Sequence, residues 1–265
     1  MTYGFIGTGN MGGALARAAA QAVEPKSILL ANRTVDKSVV LSEAIGACVA
    51  DNESVAKSCD CIFLGVKPQM MAGLLQSLQP ILAARDSQPL LISMAAGLNI
   101  ADIQRMAGHD YPTIRIMPNT PCAIGEGLTL YACSDNVTPA QKEAFLHAMS
   151  CSGIMEPLDE HLIDVGSAVA GCGGAYVCLF LESLADGAVA CGLPRDKARR
   201  YAAQMLKGNA QLALQSGEHT GAMKDAICSP GGTTIAGVRA LEEGGFRAAV
   251  MNAVIAAYER TKELK

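Results

Sequence analysis

The chain contains no tryptophan, and aromatic residues account for only 4% of its 265 positions. Charged residues are also few, at 17%, and 21 Lys and Arg against 25 Asp and Glu give a formal net charge of −4. Because nucleic-acid-binding surfaces need a concentrated excess of positive charge, this balance argues against a nucleic-acid partner. Hydrophobic residues reach 50%, so a disordered or fibrous class is excluded and a full-sized core of Ala, Leu, Val, Ile and Met is predicted.

Paired cysteine motifs are missing, although the chain has ten cysteines. The cysteines are spread singly except for Cys59 and Cys61, and no CxxC pair or Cys–His spacing predicts a metal site. No basic segment precedes the apolar residues Tyr3 to Gly7, so no secretory signal is predicted. Reduced thiols in a chain that is not exported favour a cytoplasmic location.

A long uncharged run, Val165 to Leu181, is the segment that most resembles a membrane span. Four glycines interrupt it, and Asp164 and Glu182 bound it at 17 residues, the short limit of spanning length. We therefore predict a helix buried in a subunit or domain interface, and no membrane partner.

Short β-rich runs alternate with helical stretches in the first part of the chain, which predicts a parallel sheet covered by helices. From about Asp159 the alternation stops and helical spacing takes over. The fold class is therefore α/β, with a Rossmann-type dinucleotide-binding domain over 1–158 and an all-helical domain over 159–265. The predicted strands are Tyr3–Gly7, Ser27–Ala31, Ala47–Val49, Ile62–Val66, Leu90–Met94, Thr113–Met117, Leu128–Ala132 and Ile154–Glu156.

A GxGxxG sequence, Gly7 to Gly12, follows the first predicted strand and precedes an Ala-rich helical run from Gly13 to Ala22. In this setting, amides at the start of a helix face a pyrophosphate and the glycines permit its close approach. The alternative is a bare strand-to-helix turn without a ligand. The pattern predicts cofactor contacts from Gly7, Gly9, Asn10, Met11 and Gly12.

About twenty residues further on, where NAD-binding folds place an acid on the ribose, the chain reads Ala31-Asn32-Arg33-Thr34. Without an acid, Arg33 is predicted to clamp a 2′-phosphate, with hydrogen bonds from Asn32 and Thr34 and added charge from Lys37. This favours NADPH, with NADH as a weaker alternative. The other interpretation is that Arg33 is a solvated loop charge.

Three further segments follow predicted strands, and the carboxyl ends of such strands line the ligand crevice of open α/β sheets. Each is also compatible with an ordinary loop, and Lys67 with a surface cation. The cofactor-binding candidates among them are Val66, Lys67, Pro68, Ala95, Ala96, Gly97 and Asn119.

The glycine-containing stretch Ser229 to Thr234 leads into a predicted helix over Ile235 to Glu243. Backbone amides at a helix N-terminus, freed of side-chain bulk by two glycines, suit a small carboxylate. The alternative is a plain helix cap with Thr as the N-cap. The four histidines lie in polar surroundings and are predicted to be solvated rather than catalytic.

Together these residues resemble pyrroline-5-carboxylate reductase over essentially the whole chain. The most specific part is C-terminal, where Lys224-Asp225 and Ser229 to Gly237 are followed by Leu241 to Arg247. The resemblance also includes Phe5 to Met11, Val66 to Pro68, Ala95 to Gly97, Met117 to Pro121, Ala185 to Gly187 and Gly192 to Arg195.

The resemblance implies NADPH-dependent reduction of 1-pyrroline-5-carboxylate to L-proline, the last step of proline biosynthesis, by hydride transfer to the cyclic imine. It implies that amides around Thr233 and Thr234 hold the substrate carboxylate and that the Thr234 hydroxyl, as the catalytic group, touches the ring nitrogen. It further implies that the helical domain interlocks two subunits into a homodimer with active sites between domains of different protomers, and it leaves open whether dimers form rings. The implied substrate-binding residues are Ser229, Gly231, Gly232, Thr233 and Thr234.

One segment departs from the family, which commonly reads Ser-Gly-Ser-Gly-Pro-Ala-Tyr where this chain has Ala170 to Tyr176. The loss of two hydroxyls and a proline leaves reduction of another small cyclic imino acid as an alternative. A non-catalytic NADP(H)-sensing protein is a second alternative. A 3-hydroxyacid dehydrogenase is disfavoured because Asp159 to Cys191 contains no lysine.

Overall fold

The computed structural model describes residues 1–263. The chain divides into two compact units: the first comprises Met1–Gly171 and the segment from Ala257 onward, and the second is Cys172–Ala256. The predicted domain boundary falls earlier, at residues 158 and 159. The difference arises because the helix over Ile163–Ala170 packs on the sheet of the first unit, with Ile163 in a cluster that includes Met117 and Leu130.

The first unit contains one eight-stranded sheet, and all eight predicted strands are confirmed. The strands lie in the order β3-β2-β1-β4-β5-β6-β7-β8. Their bounds are β1 Tyr3–Ile6, β2 Ile28–Ala31, β3 Cys48–Val49, β4 Cys61–Leu64, β5 Leu90–Ser93, β6 Thr113–Met117, β7 Gly127–Cys133 and β8 Gly153–Pro157.

The sheet is not wholly parallel, which corrects the sequence-based expectation. β7 pairs antiparallel with β6, whereas the other neighbours are parallel. The β6–β7 connection is nine residues long, 118–126, and includes the 3₁₀ turn Thr120–Ile124 and a left-handed Gly125. A parallel crossover needs a dozen or more residues, so this short connection reverses the chain direction.

Seven helices in the first part of the chain cover the sheet or extend from it. They are α1 Asn10–Ala22, α2 Val35–Ile45, α3 Asn52–Ser58, α4 Pro68–Ala83, α5 Ile100–Ala107, α6 Pro139–Ala148 and α7 Ile163–Ala170. Strands β1 and β4 are buried throughout, and the Phe5 and Phe63 rings stack with centroids 4.3 Å apart. Their continuous apolar sequences reflect burial on both faces.

Two cysteines beside this core are chemically shielded. Burial raises the pKa of the Cys59 thiol from 9.0 to about 11 and that of Cys61 to about 12. Near pH 8, pKa increases of about two units for Cys59 and three units for Cys61 lower their thiolate populations roughly 100-fold and 1,000-fold, and the thiolate is the reactive form. We expect Cys59 and Cys61 to resist iodoacetamide in the native protein, as measured by peptide mass spectrometry. Both should react at the rate of ordinary thiols after unfolding in urea; fast native labelling of either would contradict this.

A buried ion pair fastens α7 to the sheet. The Arg115 guanidinium, on β6, bonds the Asp164 carboxylate, and only 3% and 11% of the two side chains is exposed. Arg115 Nη1 also lies 4.0 Å from Glu160 Oε1. The same Glu160 oxygen accepts a hydrogen bond from the Ile100 amide at 2.6 Å. This network joins β6, α5 and α7, and sequence analysis did not predict it.

The second unit is built from helices that leave large apolar side chains exposed. The helices are α8 Gly173–Ala190, α9 Arg195–Ser216, α10 Thr220–Ile227 and α11 Thr233–Glu243, followed by α12 Phe246–Lys262, which continues into the first unit. Exposed apolar residues on them include Leu179, Tyr201, Met205, Leu214, Val250, Met251 and Ile255.

One apolar stretch, Glu160–Ala190, meets the length and composition criteria for crossing a membrane, with a mean hydropathy of 1.6. It includes the uncharged run Val165 to Leu181. Helices covered by another protein chain meet the same criteria, so this property alone does not identify a membrane helix.

Candidate active site

The GxGxxG turn has the geometry of a phosphate-binding loop. α1 begins at Asn10, three residues earlier than the predicted helical run, so the loop amides lie at a true helix N-terminus. Gly7 has φ +97°, and a Cβ on Gly12 would lie 2.1 Å from the Gly7 carbonyl oxygen. A Cβ on Gly9 would meet no atom within 4 Å. Gly7 and Gly12 therefore allow the close turn, while Gly9 leaves the open space that a pyrophosphate needs.

A cavity of about 760 Å³ lies at the carboxyl ends of β1, β2 and β4. It brings together eight of the predicted cofactor residues: Gly7, Gly9, Asn32, Arg33, Thr34, Lys37, Val66 and Lys67. Sequence analysis missed other lining residues, among them Asn52, Gly65, Met70, Gly73, Leu74 and Ser77. Met70, Gly73, Leu74 and Ser77 share one face of α4, whose helical spacing was the available signal.

The remaining predicted cofactor residues lie outside the lining of this cavity. Gly12 is buried in α1, Met11 is half-buried, and Asn10 lines a neighbouring cavity of about 470 Å³. Pro68 is the first residue of α4, and Ala95, Ala96 and Gly97 form the turn after β5, with Ala95 buried. The structure thus distributes these candidates along the ends of several strands rather than in one wall.

Asn119 follows β6, and its side chain is engaged within the protein. Its Oδ1 accepts a hydrogen bond from the Leu128 amide at 2.9 Å, and its Nδ2 donates to the Ala170 carbonyl at 3.1 Å. These bonds fix the β6–β7 connection to the end of α7. A contact between Asn119 and a cofactor remains a prediction.

Of the three Lys and Arg side chains that line the cavity, two lie beyond the end of β2 and are available to an anion. Arg33 and Lys37 are exposed, and among residues 1–263 neither side chain forms an ion pair or hydrogen bond. A guanidinium and an ammonium at the end of β2 suit a phosphate more than a ribose hydroxyl. The positions of Arg33 and Lys37 therefore agree with the predicted 2′-phosphate site.

In the second unit, the Ser229–Thr234 turn forms a compact approach to α11. Gly231 has φ +67°, and Gly232 is the N-cap residue. The alternative of a Thr N-cap is wrong, because α11 already begins at Thr233 and no side chain caps it. The Thr233 and Thr234 amides belong to the first turn, whose N–H groups have no partner within the helix. Together with the helix dipole they form an anion-binding arrangement.

Bulk is excluded from this turn on the side of Ser229. A Cβ on Gly232 would lie 2.3 Å from Ser229 Oγ and 3.1 Å from its carbonyl oxygen. The Gly232 amide donates to that carbonyl at 3.0 Å, which closes the turn. The side chains of Thr233 and Thr234 are exposed. Both hydroxyls are therefore accessible from the surface of the second unit.

Three other polar residues or pairs of the second unit supply no acid–base pair to this turn. The Lys224 Nζ lies 2.7 Å from Asp225 Oδ1. The hydrogen bond to this carboxylate raises the pKa of the Lys224 ammonium, so Lys224 stays charged. Tyr176 donates a hydrogen bond to the Ala253 carbonyl at 3.1 Å and ties α8 to α12. Cys172 belongs to the segment 170–176, whose sequence differs from the common family pattern, and it is half-buried at the N-cap of α8.

Comparisons with known proteins agree with this architecture. A family model described as pyrroline-5-carboxylate reductase dimerisation matches residues 160–264, and one described as NADP oxidoreductase, coenzyme F420-dependent, matches residues 2–97. The chain is 40% identical over 264 residues to pyrroline-5-carboxylate reductase of Escherichia coli K12, covering 98% of this chain and 97% of the relative. It is 39% identical to the Pisum sativum enzyme, covering 99% and 96%.

A solved structure of Plasmodium falciparum pyrroline carboxylate reductase with NADP bound superposes with a TM-score of 0.89 at 34% identity. The superposition covers 99% of this chain and 97% of the other. The similarity therefore spans both units and includes the GxGxxG turn and the Ser229–Thr234 turn. On this evidence, the chain belongs to the pyrroline-5-carboxylate reductase family.

Proposed function

We propose that the protein reduces 1-pyrroline-5-carboxylate to L-proline with NADPH. The observation that carries this proposal is 40% identity to a curated reductase over 98% of the chain. The test is steady oxidation of NADPH by the purified protein upon addition of the imine. A non-catalytic NADP(H)-sensing protein would bind the cofactor without consuming it.

The residues of the first unit fit a dinucleotide. The GxGxxG amides would hold the pyrophosphate, and Arg33 and Lys37 would hold the 2′-phosphate. Met70 and Leu74 offer an apolar wall of the same cavity for the adenine. When bound, NADPH supplies the hydride that reduces the imine carbon. NADH lacks the 2′-phosphate and is expected to be the weaker cofactor.

The residues of the second unit fit a small cyclic carboxylate. The Thr233 and Thr234 amides at the N-terminus of α11 would bind the carboxylate, and the Thr234 hydroxyl would contact the ring nitrogen. A protonated imine is already an electrophile, so these residues need to orient it rather than act as a strong base. This requirement explains why His, Asp and Glu contribute little to the proposed site.

Arg33→Ala tests the cofactor preference. The guanidinium of Arg33 is exposed, so we expect its loss to raise the KM for NADPH about tenfold while that for NADH changes less than about threefold. Arg17→Ala is a matched control, since it removes a cation from the neighbouring smaller cavity. Steady-state kinetics with both cofactors measure the effect. Equal changes for NADPH and NADH would remove Arg33 from the 2′-phosphate site.

The helical region self-associates, since a dimerisation model matches residues 160–264. We further propose a homodimer that covers the exposed apolar side chains of α8, α9 and α12, with assembly of dimers into a ring as the larger alternative. Light scattering at micromolar concentration tests this, and an active monomer would contradict it.

Ten cysteines present as free thiols support a reducing, cytoplasmic location.

A further inference from the structure

Asn32 occupies the position directly after β2, where NAD-binding folds carry an acidic residue. Its side chain bonds backbone on both sides: Oδ1 accepts a hydrogen bond from the Thr8 amide at 3.2 Å, and Nδ2 donates to the Thr34 carbonyl at 2.9 Å. Thr8 belongs to the GxGxxG turn, and Thr34 is the N-cap of α2. The amide thus ties the two loops of the cofactor cavity together.

A second contact reinforces this tie. The Thr8 and Ser38 hydroxyls lie 3.3 Å apart, and both residues are buried. The Thr34 carbonyl that receives Asn32 Nδ2 also accepts the Lys37 amide at 3.1 Å, which starts α2. Arg33 lies between the two residues that this network fixes. Its backbone is therefore held relative to the GxGxxG turn from both ends.

We propose that Asn32 is a positioning residue that sets the preference for NADPH over NADH by holding the Arg33–Thr34 turn. This proposal rests on the proposed cofactor site. The Asn32 amide accepts from the Thr8 amide through Oδ1 and donates to the Thr34 carbonyl through Nδ2. A carboxylate would keep the first bond, repel the Thr34 carbonyl and present the acid that NAD-binding folds direct to the ribose. Asn32 therefore acts on the 2′-phosphate through Arg33 rather than by touching it.

A double-mutant cycle tests whether Asn32 acts through Arg33. Calorimetry would measure the binding of adenosine 2′,5′-bisphosphate and of 5′-AMP to the wild type, Asn32→Ala, Arg33→Ala and the double variant. We expect Asn32→Ala to weaken the bisphosphate about tenfold and 5′-AMP less than about threefold. When Arg33 is already replaced by Ala, the Asn32→Ala substitution should lower the affinity for the bisphosphate by no more than about twofold. Additive effects would overturn the proposal.

A charge control separates position from simple repulsion. Gln76 is exposed on α4 and does not line the cavity. We expect Asn32→Asp to lower the NADPH-to-NADH affinity ratio by more than about tenfold, and Gln76→Glu to change it less than about threefold. Equal shifts in the two variants would overturn the proposal. If Asn32→Ala unfolds, as judged by circular dichroism, Asn32→Ser supplies the uncharged arm of the cycle.

These binding measurements require no turnover, so they are independent of whether the imine is reduced. An inactive wild type that shows the expected cycle would refute the proposed reaction and support the role of Asn32. A wild type that binds the bisphosphate no tighter than 5′-AMP would overturn that role, because no preference would exist for Asn32 to set.

Discussion

Asp164→Ala is expected to lower the free energy of unfolding by about 3–5 kcal/mol, because it leaves the buried Arg115 guanidinium without its carboxylate partner. Arg115 already has one buried nitrogen, Nε, without a hydrogen-bond partner within residues 1–263. Glu160 lies 4.0 Å from Arg115, is one-third exposed and already accepts the Ile100 amide. It therefore compensates the stranded charge only weakly.

Urea unfolding at fixed protein concentration measures this effect. Arg105→Ala is the control: it breaks the Arg105–Asp102 pair at 2.6 Å, where the arginine is 71% exposed, and is expected to cost less than about 1 kcal/mol. An Arg115→Met, Asp164→Leu double variant should recover most of the lost stability, since it removes both charges. A loss below about 1 kcal/mol for Asp164→Ala would show that the pair does not fasten α7 to the sheet.

Thr234→Ala is expected to lower kcat/KM for the imine about 10- to 150-fold, while NADPH affinity and folding stay nearly unchanged. The substitution keeps the backbone amides of α11 and removes only the hydroxyl proposed to contact the ring nitrogen. A hydrogen bond to a charged group is worth about 1.5–3 kcal/mol, which corresponds to this range. Steady-state kinetics with the imine varied and NADPH saturating measure the loss.

Two further variants sharpen the interpretation of Thr234→Ala. Thr220→Ala, at the exposed first residue of α10, removes a comparable hydroxyl and should leave kcat/KM within about twofold. Gly232→Val places its Cβ 2.3 Å from Ser229 Oγ and should weaken both carboxylate inhibitors and turnover. If kcat/KM of the Thr234→Ala enzyme stays within twofold of the wild-type value, the Thr234 hydroxyl does not contact the reacting substrate.

Most strands were predictable because they are short, largely apolar runs between polar or glycine-containing turns, as in Cys61–Leu64 and Leu90–Ser93. The direction of β7 was not, since strand periodicity is the same in parallel and antiparallel pairs. It depends on the length and curvature of the Pro118–Glu126 connection. The Arg115–Asp164 pair also escaped prediction, because the partners are 49 residues apart and each sits in an apolar segment.

The glycine turn was predictable because each glycine of the GxGxxG pattern has its own steric reason. Gly7 takes a positive φ, Gly9 leaves open space, and Gly12 packs against the Gly7 carbonyl. The internal bonds of Asn32 and Asn119 were not, since a side-chain amide binds ligand or backbone equally well from sequence alone. The alternative of a Thr N-cap for α11 was wrong because the sequence does not reveal that Gly231 takes the left-handed conformation. That conformation lets Gly232 close the turn one residue earlier.

The central proposal is that this chain reduces a five-membered cyclic imino acid with NADPH. The most direct measurement compares NADPH oxidation by the purified protein with five-membered and six-membered cyclic imino acids, with the products identified by mass spectrometry. We expect steady oxidation with 1-pyrroline-5-carboxylate, one proline formed for each NADPH consumed, and a lower kcat/KM for the six-membered ring. Absence of turnover with either imine, in protein that binds NADPH, would contradict the proposal.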